Sequence, residues 1–187
     1  LYFITNMHKF NTHFYIIDYL IIFTLIGFFS SFIYSSPDLE KLSIPDGFEI
    51  SIYADGLDSP RQLAETDEGY VVVGSKKGDK IFALYDSNFD GYAEKRILIS
   101  DNLQNPTGVT VHDGNLYFAE IDTIWVIEDI DKWLNSNSKS LPNKSIYMDN
   151  LPSETWHGFK YIDFGPDDNL YIPVGVPCNI CLEPQTK

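Results

Sequence analysis

Gly108-Val109-Thr110-Val111, Asp113-Gly114-Asn115 and Leu116-Tyr117-Phe118-Ala119 follow one another as a strand, a turn and a second strand. Asp-Gly between two β-branched or aromatic runs is a strong hairpin signal, because both turn residues tolerate positive φ. The unit stands twice more. Upstream, Gln62-Leu63-Ala64 leads through Asp67-Glu68-Gly69 to Tyr70-Val71-Val72-Val73-Gly74. Downstream, Lys160-Tyr161-Ile162-Asp163-Phe164 leads through Gly165-Pro166-Asp167-Asp168-Asn169 to Leu170-Tyr171-Ile172-Pro173-Val174. The equivalent turn positions are Gly69, Gly114 and Asp168, at spacings of about 45 and 54 residues, near the ~40–50 of propeller blades. A blade buries its faces only against neighbouring blades, and ~4–8 of them close a ring. The stretch after Pro37 holds roughly three. The expectation is therefore an all-β chain, part of a propeller that is incomplete here.

The rest of that stretch agrees. No long amphipathic helix stands out, and short runs rich in Val, Ile, Tyr and Phe alternate with Gly, Asp, Asn and Pro. Further strands are expected at Ile50–Ala54, Lys80–Leu84, Arg96–Ile99 and Thr123–Ile127. Asp129–Leu134 reads as a short helix, and Asn135–Lys144 as a polar loop.

Residues 1–36 differ in character. The first residue is Leu1, and Met7 is the first plausible initiator, so residues 1–6 read as upstream sequence. A mildly basic start at His8, Lys9 and His13 precedes an apolar stretch from Tyr19 to Tyr34, then Ser35, Ser36 and Pro37. That order is the pattern of a secretory signal peptide. Extended back across Asp18 to Phe14, the stretch reaches the ~20 residues of a membrane span, so an uncleaved anchor is the rival reading. Both place residues 37–187 outside the cytoplasm, in the periplasm or at the membrane surface, with membrane contact only through this segment.

The formal net charge is -14. An acidic surface repels phosphate backbones, and no Lys/Arg stripe interleaved with aromatics is present, which argues against nucleic-acid binding. Cys178 and Cys181 are the two cysteines. Two thiols cannot fill a tetrahedral zinc site, and Leu182 where haem attachment needs His excludes that motif. In an oxidising compartment they are candidates for a local disulfide with each other.

One loop has the composition of a cation site. Asp86-Ser87-Asn88-Phe89-Asp90-Gly91-Tyr92-Ala93-Glu94 sets oxygen side chains at alternating positions, Asp86, Asn88 and Asp90, followed by Gly91 and then Glu94. Calcium takes ~6–8 oxygen ligands in flexible geometry and suits such a loop. Ile97 stands where an EF-hand has its bidentate glutamate, so the expected role is a structural calcium hairpin between strands. The competing reading is a bare acidic turn held by Asx hydrogen bonds.

Several segments resemble the glucose/sorbosone dehydrogenase family. They are Ile44-Pro45-Asp46-Gly47-Phe48-Glu49-Ile50 with Tyr53-Ala54-Asp55-Gly56-Leu57, Gly78-Asp79-Lys80-Ile81-Phe82-Ala83-Leu84, and Asn105-Pro106-Thr107-Gly108-Val109. The most specific is Trp156-His157-Gly158-Phe159-Lys160-Tyr161-Ile162-Asp163-Phe164-Gly165-Pro166-Asp167, running on to Leu170–Gly175. The resemblance implies a six-bladed propeller that binds pyrroloquinoline quinone (PQQ). It implies oxidation of a sugar hydroxyl or a related aldehyde by hydride transfer to the quinone, with electrons passed to an external acceptor. It also implies a histidine base.

His157 matches that histidine. Imidazole, with an ordinary pKa near ~6.5, suits removal of a hydroxyl proton at neutral pH. The plain alternative is a turn histidine bonded to backbone. In the soluble glucose dehydrogenases an aspartate precedes the histidine and helps bind sugar; Trp156 stands there, which points away from strict glucose specificity. Trp156 is a candidate to stack on a sugar face or to pack in the interior. Lys160 is a candidate contact for a quinone carboxylate, against a solvated strand lysine. The alternative function is a propeller without redox chemistry, a binding module or a metal-dependent lactonase.

Overall fold

The computed structural model describes residues 38–176. The apolar segment at residues 19–34 and the Cys178/Cys181 pair lie outside the described residues. The described residues belong to one compact unit, which begins with a single 3-10 turn at Leu39–Lys41.

Two four-stranded antiparallel sheets follow, each a simple meander. The first runs β1 (Pro60–Glu65), β2 (Val71–Ser75), β3 (Ile81–Tyr85) and β4 (Lys95–Ser100), paired in that order. The second runs β5 (Gly108–His112), β6 (Asn115–Ala119), β7 (Ile124–Ile127) and β8 (Ser145–Met148), with the helix α1 (Ile130–Asn135) between β7 and β8. A third sheet pairs β9 (Asp163–Phe164) with β10 (Leu170–Tyr171). These are two blades of a β-propeller and the opening hairpin of a third. The innermost strand of each is its first, and β5 packs against both β1 and β9.

The turn chemistry is what the sequence demands. Gly69, Gly114 and Asp168 all have positive φ, and Asp113 beside Gly114 does too, as a two-residue turn linking His112 to Asn115 requires. The expected strands form within a residue or two of their predicted limits, with two exceptions. Ile50–Ala54 is not a strand: Phe48 and Ile50 are 69% and 42% exposed, and its backbone meets the sheet only where Ala93 N–H donates to Tyr53 O at 2.8 Å. A strand exists through its ladder, and no partner for this one lies among the described residues. The second exception is the third unit, shorter at both strands than its sequence suggests, because its hairpin has no outer neighbour among the described residues. The sequence reading also passed over β8, an edge strand exposed along its length and therefore without alternation to reveal it.

Burial follows blade logic. Val72, Ile81, Ala83 and Ile99 of the first blade share one core with Val109, Leu116, Phe118 and Ile127 of the second, joined by Ile130 and Leu134 of α1. Ala119 and Ile124 meet Ile162 to make the next interface. The far face of the first blade, at Val73 and Leu84, is covered by Tyr53, Ala54 and Leu57. Among the described residues no helix is long and apolar enough to cross a membrane.

Polar side chains link the blades. Thr66 donates its hydroxyl to Asp131 of α1, whose other oxygen accepts from Glu68 N–H at 3.3 Å. Thr110 of β5 donates to Asp163 of β9 at 2.8 Å, and the His112 and Phe164 rings stack at 4.0 Å. Gln62 of β1 reaches the third unit: its amide donates to Ile162 O at 2.7 Å and accepts from Ile162 N–H at 3.2 Å. Ile162 is fully buried, so Gln62→Ala removes the side-chain partner of its carbonyl and its N–H. The expected loss is ~1–3 kcal/mol. Urea unfolding should show a lower midpoint with an unchanged slope; an unaltered midpoint would mean the clamp is not formed in solution.

Candidate active site

His157 ends the loop that feeds the third unit. Its φ is +57°, in the left-handed region. Ser59 and Asn105 have φ of +48° and +50° in the corresponding loops before β1 and β5. The three residues thus occupy one recurring seat, at the entry to each inner strand. Histidine, serine and asparagine lack branching at Cβ and tolerate the seat better than valine, isoleucine or threonine would.

The imidazole is exposed and oriented. Its Nδ1 lies 2.8 Å from the carbonyl oxygen of Val176. A carbonyl only accepts, so Nδ1 carries a proton, and in the neutral tautomer the lone pair is on Nε2. That bond is the ring's only hydrogen bond among the described residues, which leaves Nε2 as an open acceptor. Gly175 makes the approach possible, because a Cβ there would run into the carbonyl and Cβ of His157. The sequence reading included Gly175 in its motif but did not identify Val176 as the partner. A main-chain acceptor carries no side-chain signature, and the close-approach glycine beside it was the available signal. His157 is a turn histidine bonded to backbone, as its plainer reading had it.

Trp156 is 60% exposed, its ring 5.1 Å from the imidazole and tilted by 38°. It is not packed in the interior, and its ring lies beside the imidazole.

Lys160 differs from both expectations for it. It is 1% exposed, with Nζ donating to Gly158 O at 2.9 Å and, more loosely, to Pro152 O at 3.4 Å. Burial pushes its amine below the usual lysine range, while Asp122 and Glu154 act in the opposite direction. It is neither a solvated strand lysine nor an ammonium presented to a ligand. The structure brings Trp156 and His157 together and turns Lys160 into the protein.

The acidic loop stands apart, between β3 and β4. Asp86, Asp90 and Glu94 bring carboxylate oxygens within 4.8 Å of one another. The loop is also a dense Asx network: Asp86 accepts from Phe89 N–H at 2.7 Å and Gly91 N–H at 2.8 Å. Desolvation raises the Asp86 carboxyl, but these N–H groups with those of Asp90 and Asn88 outweigh it and hold the carboxyl below its usual range. Asn88 sits beside Asp90 in the same loop. Its Oδ1 accepts from Asp90 N–H at 2.9 Å and its amide donates to Asp90 at 3.1 Å.

An uncharacterized protein of Borreliella burgdorferi is 24% identical over 178 residues, a match covering 91% of this chain and 45% of that protein. The holo PQQ domain of pyranose dehydrogenase from Coprinopsis cinerea superposes with a TM-score of 0.60 at 17% identity, over 74% of this chain and 33% of that one. The chain therefore spans less than half the length of either, and the second likeness is one of fold. A family model described as "Domain of unknown function (DUF7133)" matches residues 38–183, the whole propeller portion described above. The chain belongs to the DUF7133 family.

Proposed function

We propose that the full-length protein is a PQQ-dependent dehydrogenase of a sugar or related aldehyde, with His157 as the base that takes the substrate's hydroxyl proton. The observation that carries the reading is the exposed imidazole, its Nδ1 tied to Val176 O and its Nε2 lone pair open. Support for the cofactor comes from the fold shared with a PQQ domain. The residues present fit the reacting edge of such a site. Nε2 accepts a proton, and the Trp156 face covers the apolar side of a sugar ring and excludes water from it. They do not supply its anchor, because Lys160 is turned inward. A bound quinone would supply the hydride acceptor, and an external electron acceptor would complete turnover. The apolar segment at residues 19–34 supports action outside the cytoplasm, as an exported or membrane-anchored protein.

The test is reconstitution of the full-length protein with quinone, followed by dye-linked oxidation of a panel of aldoses and aldehydes. The expected result is quinone-dependent dye reduction on at least one of them. Absence of both quinone binding and oxidation sinks the dehydrogenase reading.

The Asp86 loop we assign to calcium, on the convergence of three carboxylates at a β-hairpin. Oxygen-only donors suit this hard ion, whose affinity follows the number of charged ligands. The role is structural, since the loop lies on the outer half of the first blade, between its third and fourth strands. Calorimetry should show calcium binding that Asp86→Asn with Asp90→Asn weakens by about tenfold or more. No heat of binding to the wild type would leave the Asx network as the loop's whole explanation.

A further inference from the structure

We propose that Lys160 is a positioning residue: its buried ammonium ties the carbonyls of Gly158 and Pro152 together and so holds the loop that presents His157. The proposal rests on the reading of His157 as the proton acceptor.

An ammonium out of contact with water is costly unless donors find acceptors. Lys160 is 1% exposed, and among the described residues no carboxylate comes within ion-pair reach of it. Its partners are two main-chain oxygens, at 2.9 and 3.4 Å, six residues apart on the same loop. An interior cation spent on backbone oxygens joins two ends of a loop that has no ladder of its own. Gly158, one of the two ends, directly follows His157.

The anchor is itself anchored. Gly108, the first residue of β5, has no side chain, and a Cβ there would collide with the Lys160 carbonyl. The Lys160 backbone is thus seated on the inner strand of the second blade. Within the loop, Gly158 N–H donates to Thr155 O at 3.3 Å, and Gly158 leaves room for the Glu154 carbonyl. The path from β5 to the imidazole runs through Lys160, across its Nζ to Gly158, and one residue back to His157. Methionine fills similar volume and donates nothing, so it removes the tie while keeping the packing.

The experiment uses the full-length protein. In the wild type, an amine-acylating reagent should modify exposed Lys77 and Lys139 quickly and Lys160 only on unfolding. Acylation of Lys160 as fast as those two overturns the proposal, and this arm needs no variant to fold. In Lys160→Met, nitrogen-15 spectra of the His157 ring should lose the fixed Nδ1–H pattern. Exchange of the Gly158 and Phe159 amides should rise about tenfold or more, with β6 amides unchanged. Turnover should fall about tenfold at unchanged KM, as expected when a reacting group is mispositioned but the substrate still binds. A folded Lys160→Met protein with the wild-type His157 ring spectrum overturns the proposal whatever its activity. Full activity in His157→Ala instead overturns the base reading, and the ring spectrum still reports on the tie.

Discussion

Replacing His157 by alanine in the full-length protein is expected to lower kcat by ~10²–10⁴-fold, the usual contribution of a positioned general base. The size follows from geometry. A hydride leaves a carbinol carbon readily only as the hydroxyl proton is withdrawn, and Nε2 is the open acceptor that the Val176 contact sets in the correct tautomer. No second imidazole shares this loop, and His112 sits at the opposite end of its strand, in the hairpin turn region. Substrate affinity should change little, since Trp156 remains. The measurement is dye-linked oxidation on the best aldose or aldehyde, wild type against variant at matched quinone loading. Near-wild-type turnover in the variant removes His157 from the role.

Replacing Phe118 by alanine is expected to cost ~3–5 kcal/mol of stability. The ring is fully buried in the core that the first two blades share, among side chains from both. The Lys144 ammonium lies 5.6 Å from its centre and loses that aromatic face as well. A cavity at this place is lined by two sheets rather than one, and each is held by its own ladder, so neither can collapse freely into it. Chemical denaturation should show a large drop in midpoint, and limited proteolysis should cut between residues 100 and 108 first, where the blades join. A loss under ~1 kcal/mol would mean that the blades are not packed face to face in solution.

The blades were legible because their signals are local. Val71–Val73 and Leu116–Ala119 alternate with turns whose glycine or aspartate must take positive φ, and both facts are visible within about ten residues of chain. What stayed hidden depends on partners far away in sequence. Ile50–Ala54 has the composition of a strand and lacks a ladder. β8 forms a ladder and lacks the alternation, because an edge strand exposed along its length has no face to hide. In the site, imidazole chemistry marked His157, but its tautomer is set by a carbonyl whose residue type is irrelevant. Lys160 was misjudged for the same reason: a lysine's charge suggests solvent, and its burial is decided by main-chain oxygens that composition does not reveal. The cross-blade reach of Gln62 to Ile162 likewise has no sequence signature.

The left-handed seat shared by Ser59, Asn105 and His157 has an evolutionary consequence. Because the repeating scaffold builds the same backbone corner ahead of each inner strand, a change of chemistry at one corner needs no change of fold. The corner nevertheless filters what mutation can offer it. Residues branched at Cβ are penalised there, so a threonine nucleophile is disfavoured, while serine, asparagine, aspartate, glycine and histidine are admitted. Descendants of such a ring can therefore exchange reactive groups from corner to corner, within an alphabet fixed by the backbone rather than by the substrate.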